Sequence, residues 1–371
     1  MTLRIVSSAV VLALSVGACT GNLTGDGSNG SGPGGPGQGG PGLGPGNGAA
    51  GSGANGAAGS GTIVGVTGPD PGTPPDPLAA GPMPLRRLNH REFNNTVRDL
   101  LGVTSNPADS FPLDVDGGFA FHRAGLVSSL DASVLRDAAE AMIKTLDITK
   151  LLTCSPSGGE DACAATFIKD FGAKAYRRPA SAEETARLTA LFKAARTTLM
   201  LDFNESIKVV VEAIVQSPGF LYRWELGNTA ATLDGQVVKL TPYEVASRLS
   251  YFFWRSMPDK ALFDLAAAGN LKSADDVAGQ AKRMLADEKA KTTVGSFFDE
   301  WLGLEELPDR PKDAQVYPEF GEPLARAMQD ENRAFINGVL FGGDGTFTSL
   351  MTGKSTNLSG ALAPIYGAQS G

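Results

Sequence analysis

The stretch LNHREFNNTVRDLLG, residues 88–102, decides the fold class because it carries the complete local signature of a short helix. Asn89 followed three residues later by Glu92 is typical of a capping box, in which each side chain accepts a hydrogen bond from the other residue's backbone N–H. Apolar residues recur there at helical spacing and predict one buried face: Phe93, Val97, Leu100 and Leu101. Gly102 follows where a left-handed residue commonly ends a helix.

The same local signals recur along the chain. The predicted helix starts combine a capping residue with a carboxylate three positions later; they lie at Ser181 with Glu184, Thr241 with Glu244, and Ser273 with Asp276, and a further start lies at Asp131. Convincing strand alternation is confined to residues 236–240, which predict a hairpin arm or an extended linker. The sequence therefore predicts an all-α fold of roughly ten helices in bundle-like domains.

Glycine and proline are concentrated near the N-terminus. The chain has 371 residues with 47 Gly and 23 Pro, and residues 20–82 are almost entirely Gly, Pro, Ala, Ser, Asn and Thr, with no Lys or Arg. Such a segment buries too little apolar surface to offset the backbone entropy lost on folding. We predict a disordered tether here, with an end-to-end distance on the order of 40–50 Å.

The first residues predict an export signal. Residues 5–16 form an apolar run after the single cation Arg4, and the run is shorter than the roughly 20 residues of a membrane-spanning helix. It ends in VGAC, residues 16–19, which resembles the bacterial lipobox and makes Cys19 the predicted lipidation site. An ordinary signal peptide with an incidental cysteine is the alternative. Two or more acyl chains anchor a protein stably, which predicts membrane attachment and a periplasmic or surface-exposed location in the bacterial cell envelope.

Loops divide the rest of the chain. Residues 154–163 enclose a Ser-Pro-Ser-Gly-Gly loop, and residues 227–235 form a second break. The predicted organisation is a signal peptide over 1–18, the lipidated cysteine and tether over 19–82, and helical domains over 83–152, 153–235 and 236–371.

The charge of the chain excludes one class of partner. The formal net charge is −8 at pH 7, and the basic clusters near Arg87 and Arg177 are short. Such a field repels a polyanion, so nucleic acid is not expected as a partner. A protein partner in the envelope is left open, and no small-molecule ligand is defined.

Several longer motifs resemble a known family. They are the helix at 88–102, FPLDVDGGF at 111–119, AYRRP at 175–179, ASRLSYFFW at 246–254 and FDEWLGL at 298–304. Together they resemble multi-domain proteins of planctomycetes and myxobacteria that are built from domains of unknown function and often occur beside cytochrome modules. The resemblance covers three consecutive domains and implies extracytoplasmic residence and a helical fold, with further C-terminal domains missing. It supplies no established activity.

The cysteines depart from that family. Its members often carry Cys-x-x-Cys-His for covalent haem, whereas Cys154 and Cys163 are nine residues apart and neither precedes a histidine. Covalent haem attachment in this chain is therefore not expected, and no cofactor is predicted. In an oxidising compartment the same pair predicts a disulfide, worth about 2–4 kcal/mol. A redox-active pair is the alternative, but such pairs typically have Cys-x-x-Cys spacing.

Candidate catalytic and metal-binding residues are few. Asp114 and Asp116 place carboxylates at alternate positions, as a calcium loop does, but the third alternating ligand and the distal Glu are missing. A turn with self-capping Asp side chains is the alternative. His122 lies near both carboxylates and would suit a general base, yet no nucleophile motif accompanies it. We therefore assign no catalytic residue and leave enzyme activity open.

Arginine residues are predicted to have structural roles. A buried arginine needs a carboxylate or carbonyl partner. Arg248, inside an apolar helix, is therefore predicted to organise a helix junction rather than a ligand site, and Arg177 and Arg178 are assigned structural roles as well.

Tryptophans and paired acids complete the predicted set. Trp254 and Trp301, together with Trp224, are predicted as core residues, with sugar stacking on an exposed ring as the alternative. The adjacent pairs Asp299–Glu300 and Asp330–Glu331 predict solvated helix faces, because neighbours on a helix point about 100° apart.

Three functions are consistent with these observations. The first is an envelope lipoprotein whose helical body acts as an interaction or scaffold module. The second is an extracytoplasmic enzyme or redox-system component partnered with a separate haem protein. The third is a surface carbohydrate-binding protein.

Overall fold

The computed structural model describes residues 85–112, 115–116, 122–123, 128–227, 238–356, 358 and 360–367. The predicted signal peptide, Cys19, the tether and Asp114 lie outside these residues. Within the described ranges, none of the helices combines the length and apolar character that a membrane-spanning segment needs.

The described residues form α-helices with almost no strand, which confirms the predicted all-α class. In chain order the helices are α1 His90–Leu101, α2 Ser129–Thr145, α3 Glu160–Tyr176, α4 Ala182–Thr197, α5 Phe203–Val215, α6 Pro218–Leu221, α7 Pro242–Trp254, α8 Lys260–Ala267, α9 Ala274–Leu285, α10 Glu288–Trp301, α11 Glu322–Asn337 and α12 Phe347–Thr352. Short 3₁₀ turns connect several of them, and a π-helical turn over Gly338–Gly342 follows α11.

Strand pairing among the described residues is limited to two short antiparallel ladders. β1, Arg86–Arg87, pairs with β4, Tyr222–Arg223, and β2, Val115–Asp116, pairs with β3, His122–Arg123. Residues 238–240, the described end of the stretch predicted as a hairpin arm or an extended linker, have no regular secondary structure, which favours the linker.

The capping residues define where the helices begin. Capping boxes are present at Asn89 with Glu92, Ser181 with Glu184, Thr241 with Glu244, and Ser273 with Asp276, as predicted. The helix predicted to begin at Asp131 instead begins at Ser129, because Ser128 is the cap and Asp131 is the third helical residue of its capping box. Gly102 ends α1 in the left-handed conformation with φ 71°.

The helices pack around three hydrophobic clusters of unequal size. One large cluster unites α1 to α6 and contains fully buried rings such as Phe93, Phe167 and Phe220. A smaller cluster around Trp254 and Met284 unites α7 to α10, and a third joins α11 to Leu362. The large cluster spans the boundary predicted at 152, so the helices on its two sides share one core. The division into three domains stays a prediction.

Candidate functional site

Arg177 is a buried cation at the end of α3. It follows α3 in the left-handed conformation, with φ 58°, and its side chain is buried. Its Nη2 atom donates hydrogen bonds to three backbone carbonyl oxygens, those of Gly219 at 3.0 Å, Phe220 at 2.8 Å and Tyr222 at 2.9 Å. The guanidinium therefore closes the turn between α6 and β4, where these carbonyl groups converge.

Tyr251 extends this contact to α7 and α1. Arg177 Nη1 donates to the Tyr251 hydroxyl at 3.2 Å, and that hydroxyl lies 2.9 Å from Thr96 Oγ1. Thr96 has one hydroxyl proton, which it gives to the Glu92 carbonyl at 2.6 Å, so Tyr251 is the donor to Thr96. The Arg223 guanidinium lies over the Tyr251 ring, 5.1 Å from its centroid. We call Glu92, Thr96, Arg177, Arg223 and Tyr251 the Arg177 junction.

A second polar contact joins α1 to the helices α7 and α10. Asp99 Oδ2 accepts from Ser256 Oγ at 2.5 Å and from Lys289 Nζ at 2.7 Å. Asn95 Nδ2 donates to the Arg255 carbonyl at 3.2 Å, and Arg91 pairs with Glu305. The polar side of α1 is thus bound to protein groups more than 150 residues away along the chain.

The pair Asp299–Glu300 is buried, and its prediction as a solvated face is wrong. Asp299 is 1% exposed and Glu300 is 7% exposed. Asp299 pairs with Arg333 of α11 at 2.7 Å, and Glu300 pairs with Arg255 at 2.6 Å. Because adjacent helical residues point in different directions, each carboxylate meets a different packing neighbour of α10.

Arg248 is exposed, so its predicted burial is wrong. Its side chain is 46% exposed, and its Nη2 atom pairs with Glu225 at 2.6 Å, beyond the end of β4. Leu249 and Ser250 of α7 point to the interior, whereas Arg248 lies on the outer side of that helix. The ion pair still connects α7 to the segment that follows β4.

Arg178 follows Arg177 in sequence, but its side chain binds a residue close to it along the chain. Its two Nη atoms bind the two carboxylate oxygens of Glu184 at 2.9 Å and 2.8 Å. These hydrogen bonds lower the pKa of the Glu184 carboxyl, and they raise the pKa of the Arg178 guanidinium. The pair joins the end of α3 to the start of α4.

The tryptophans divide between core and surface. Trp254 is buried as predicted, and its Nε1 atom donates to the Met284 carbonyl at 3.1 Å. Trp301 is 45% exposed and Trp224 is 37% exposed, so their prediction as core residues is wrong. Trp301 is the last residue of α10, beyond the buried Phe298, and its ring lies 6.1 Å from that of Phe297.

The cysteine pair forms the predicted disulfide. Cys154 and Cys163 are bonded, with their Cα atoms 5.4 Å apart. Disulfides persist in oxidising compartments and are rare in the cytoplasm. The bond therefore indicates a location outside the cytoplasm.

The predicted metal-binding and acid–base residues are only partly described. Asp116 lies in β2 and His122 lies opposite it in β3, and nothing further of their side chains is described. The second histidine, His90, was not predicted as a site residue, and its Nε2 atom forms a hydrogen bond with the Pro112 carbonyl at 2.8 Å. Among the described residues, no group of three or more His, Cys, Asp or Glu side chains is arranged to hold a metal ion. The calcium prediction at Asp114 and Asp116 stays a prediction.

A polar cleft lies between α11 and residues 353–356 together with Tyr366, and the sequence did not predict it. We call it the α11 cleft; its volume is about 380 Å³, and it is lined by Met328, Glu331, Asn332, Phe335, Gly353, Lys354, Ser355, Thr356 and Tyr366. Glu331, expected on a solvated face, instead accepts hydrogen bonds from Thr356 Oγ1 at 2.8 Å and Tyr366 Oη at 3.2 Å. The hydrogen bond to Glu331 raises the pKa of Tyr366, so the phenol remains a donor.

The fold and these contacts define an all-α protein whose helices are joined through buried arginine and tyrosine side chains. Three family models match it in consecutive stretches, all described as proteins of unknown function: DUF1587 over residues 86–147, DUF1595 over 163–225 and DUF1592 over 240–368. None of the curated proteins and none of the solved structures matches the chain. The Arg177 junction unites residues from all three matched stretches.

Proposed function

We propose that the chain is a cell-envelope lipoprotein whose helical body acts as an interaction or scaffold module. The Arg177 junction carries this proposal. Its arginines, hydroxyl groups and aromatic ring bind one another across the three matched stretches, which suits a rigid platform. The ion pair of Asp99 with Lys289 joins the first matched stretch to the third, and the pair of Glu300 with Arg255 braces two helical segments within the third.

Two observations support the proposed location of this module in the cell envelope. The lipobox-like residues 16–19 predict acylation of Cys19, and the disulfide indicates an oxidising compartment. Residues 20–82 would then separate the body from the membrane surface. A protein of the envelope is the proposed partner, because the net charge of −8 disfavours nucleic acid.

The anchor is tested by metabolic labelling with a clickable palmitate analogue in a bacterial host. We expect the wild-type chain to be labelled and to sediment with membranes, and the Cys19→Ser variant to be unlabelled and released from them. Thr20→Ser is the matched control and should be labelled like the wild type. An unlabelled wild-type chain would contradict the anchor.

The scaffold role is tested by cross-linking in intact cells followed by purification of the tagged chain. If the helical body is a scaffold, we expect one defined protein to be cross-linked to it at constant stoichiometry. The competing hypothesis, a redox-system component partnered with a separate haem protein, predicts a Soret absorption band in the same purified material. That band would overturn the scaffold proposal, and so would recovery of the chain without any cross-linked partner.

A further inference from the structure

We propose that the α11 cleft binds a neutral saccharide. A volume of about 380 Å³ lies within the range of small-molecule sites. Most of its lining side chains carry hydrogen-bonding groups, and these come from α11, from residues 353–356 and from Tyr366. The chemistry of those groups selects the class of ligand.

Hydrogen-bond acceptors are oriented before any ligand binds. Glu331 is held by Thr356 on one carboxylate oxygen and by Tyr366 on the other. A carboxylate has about four lone-pair positions, so each oxygen retains the capacity to accept a further hydrogen bond. A sugar hydroxyl is a suitable donor for these positions.

A hydrogen-bond donor lies beside this carboxylate. The Nδ2 atom of Asn332 is buried and makes no hydrogen bond among the described residues. A buried donor without a partner is costly, so turning the Asn332 side chain to present Nδ2 to a ligand oxygen in the cleft removes that cost. Glu331 and Asn332 both line the cleft, so the cleft offers a ligand an acceptor and a donor, as a sugar with several hydroxyl groups can use.

The charge and the apolar surface of the cleft favour a neutral sugar over an ion. Glu331 is balanced by Lys354, which leaves the lining with little net charge. The Tyr366 ring is 57% exposed and offers an apolar face for the C–H groups of a sugar ring. Gly353 allows the backbone to approach the Phe335 ring, because a Cβ atom there would lie 2.8 Å from it.

The test is calorimetric titration of the purified full chain in detergent with cellobiose, maltose and N,N′-diacetylchitobiose. We expect at least one disaccharide to bind with a Kd below about 1 mM. Glu331→Gln should weaken that binding about tenfold, because the charged acceptor becomes a neutral amide and one acceptor oxygen is replaced by an NH2 donor. The matched control is Asp330→Asn, the adjacent and exposed acid, which should change the affinity less than about twofold.

Thermal unfolding shows whether each variant is folded. If Glu331→Gln does not fold, Asn332→Ala is used as the second variant. Its affinity should also fall about tenfold, since the buried donor is removed. The proposal is overturned if no disaccharide binds to the folded wild-type chain, or if the folded cleft variants bind as tightly as Asp330→Asn. Binding of glycylglycine instead of a disaccharide would also overturn it, because a zwitterion would then be the preferred class.

Discussion

The helices α1–α6 and the helices α7–α12 bury their apolar side chains in different ways. The first region shares one continuous core, closed by Arg177 and reinforced by the disulfide. In the second region Tyr251 packs into that large core, the other buried apolar residues lie mainly in two small clusters, and large side chains such as Phe252, Trp301 and Phe347 are exposed. From this difference we expect the first region to contribute most of the free energy of unfolding. The exposed large apolar side chains and the α11 cleft belong to the second region.

The largest expected effect comes from a matched pair of phenylalanine substitutions. Phe93 is fully buried, with its ring 5.1 Å from Phe111 and 5.8 Å from Phe220, so Phe93→Ala should lower the free energy of unfolding by about 3–5 kcal/mol. Phe252 is 71% exposed, and Phe252→Ala should cost less than about 1 kcal/mol. Urea denaturation measures both, and equal losses would contradict the contrast between the regions.

The next effect concerns the junction that joins the regions. Arg177→Lys retains the charge but cannot reproduce the hydrogen bonds to Tyr251 and to the carbonyl groups of the α6–β4 turn, so we expect a loss of about 2–4 kcal/mol. Arg326→Lys is the control, because the exposed pair of Arg326 with Glu322 contributes less than about 0.5 kcal/mol. If both variants unfolded at the same urea concentration, the junction would have no special role.

A smaller effect is expected from the disulfide. Its loop is short, so replacing Cys154 and Cys163 together by serine should cost about 2–3 kcal/mol in the chain-entropy description. The double substitution is compared with the wild type under oxidising and reducing conditions. Dithiothreitol should destabilise only the wild type, and a wild-type chain insensitive to the reductant would show that the bond does not constrain the unfolded state.

The smallest effect is the pH dependence of the Arg178–Glu184 pair. The hydrogen bond from Arg178 lowers the pKa of Glu184 in the folded chain below its ordinary value of 4.5. A lowered folded-state pKa stabilises the protein above that ordinary value, and the contribution is lost as the pH falls through the folded-state pKa.

Glu184→Gln should therefore cost about 1 kcal/mol near neutral pH and progressively less in acid. Urea denaturation across the acid range measures this difference. Glu306→Gln provides the control, since Glu306 is exposed and pairs with Arg310, four residues further along the chain. A penalty for Glu184→Gln that did not change with pH would contradict the assigned cause.

The helices were predictable because their signals are local. The capping boxes at Asn89 and Thr241 and the left-handed Gly102 depend on residues within one turn of the helix. The disulfide was predictable because the two cysteines lie close in sequence and no competing partner is near them. These features need no knowledge of how distant segments pack.

The candidate sites were not predictable because they depend on distant partners. Arg177 binds backbone carbonyl groups more than 40 residues away, which no side-chain pattern indicates. The α11 cleft needs residues 353–356 and Tyr366, which have little periodic signal of their own. Trp301 and Arg248 show the same limit, because residue type alone did not determine which side of a helix they occupy.

Intact mass spectrometry of the native chain under non-reducing conditions tests the anchored, extracytoplasmic body most directly. We predict a chain that begins at an acylated Cys19 and contains the Cys154–Cys163 disulfide. A chain that begins at Met1, carries no acyl group, has both thiols free and is recovered from the cytoplasm would contradict the proposal.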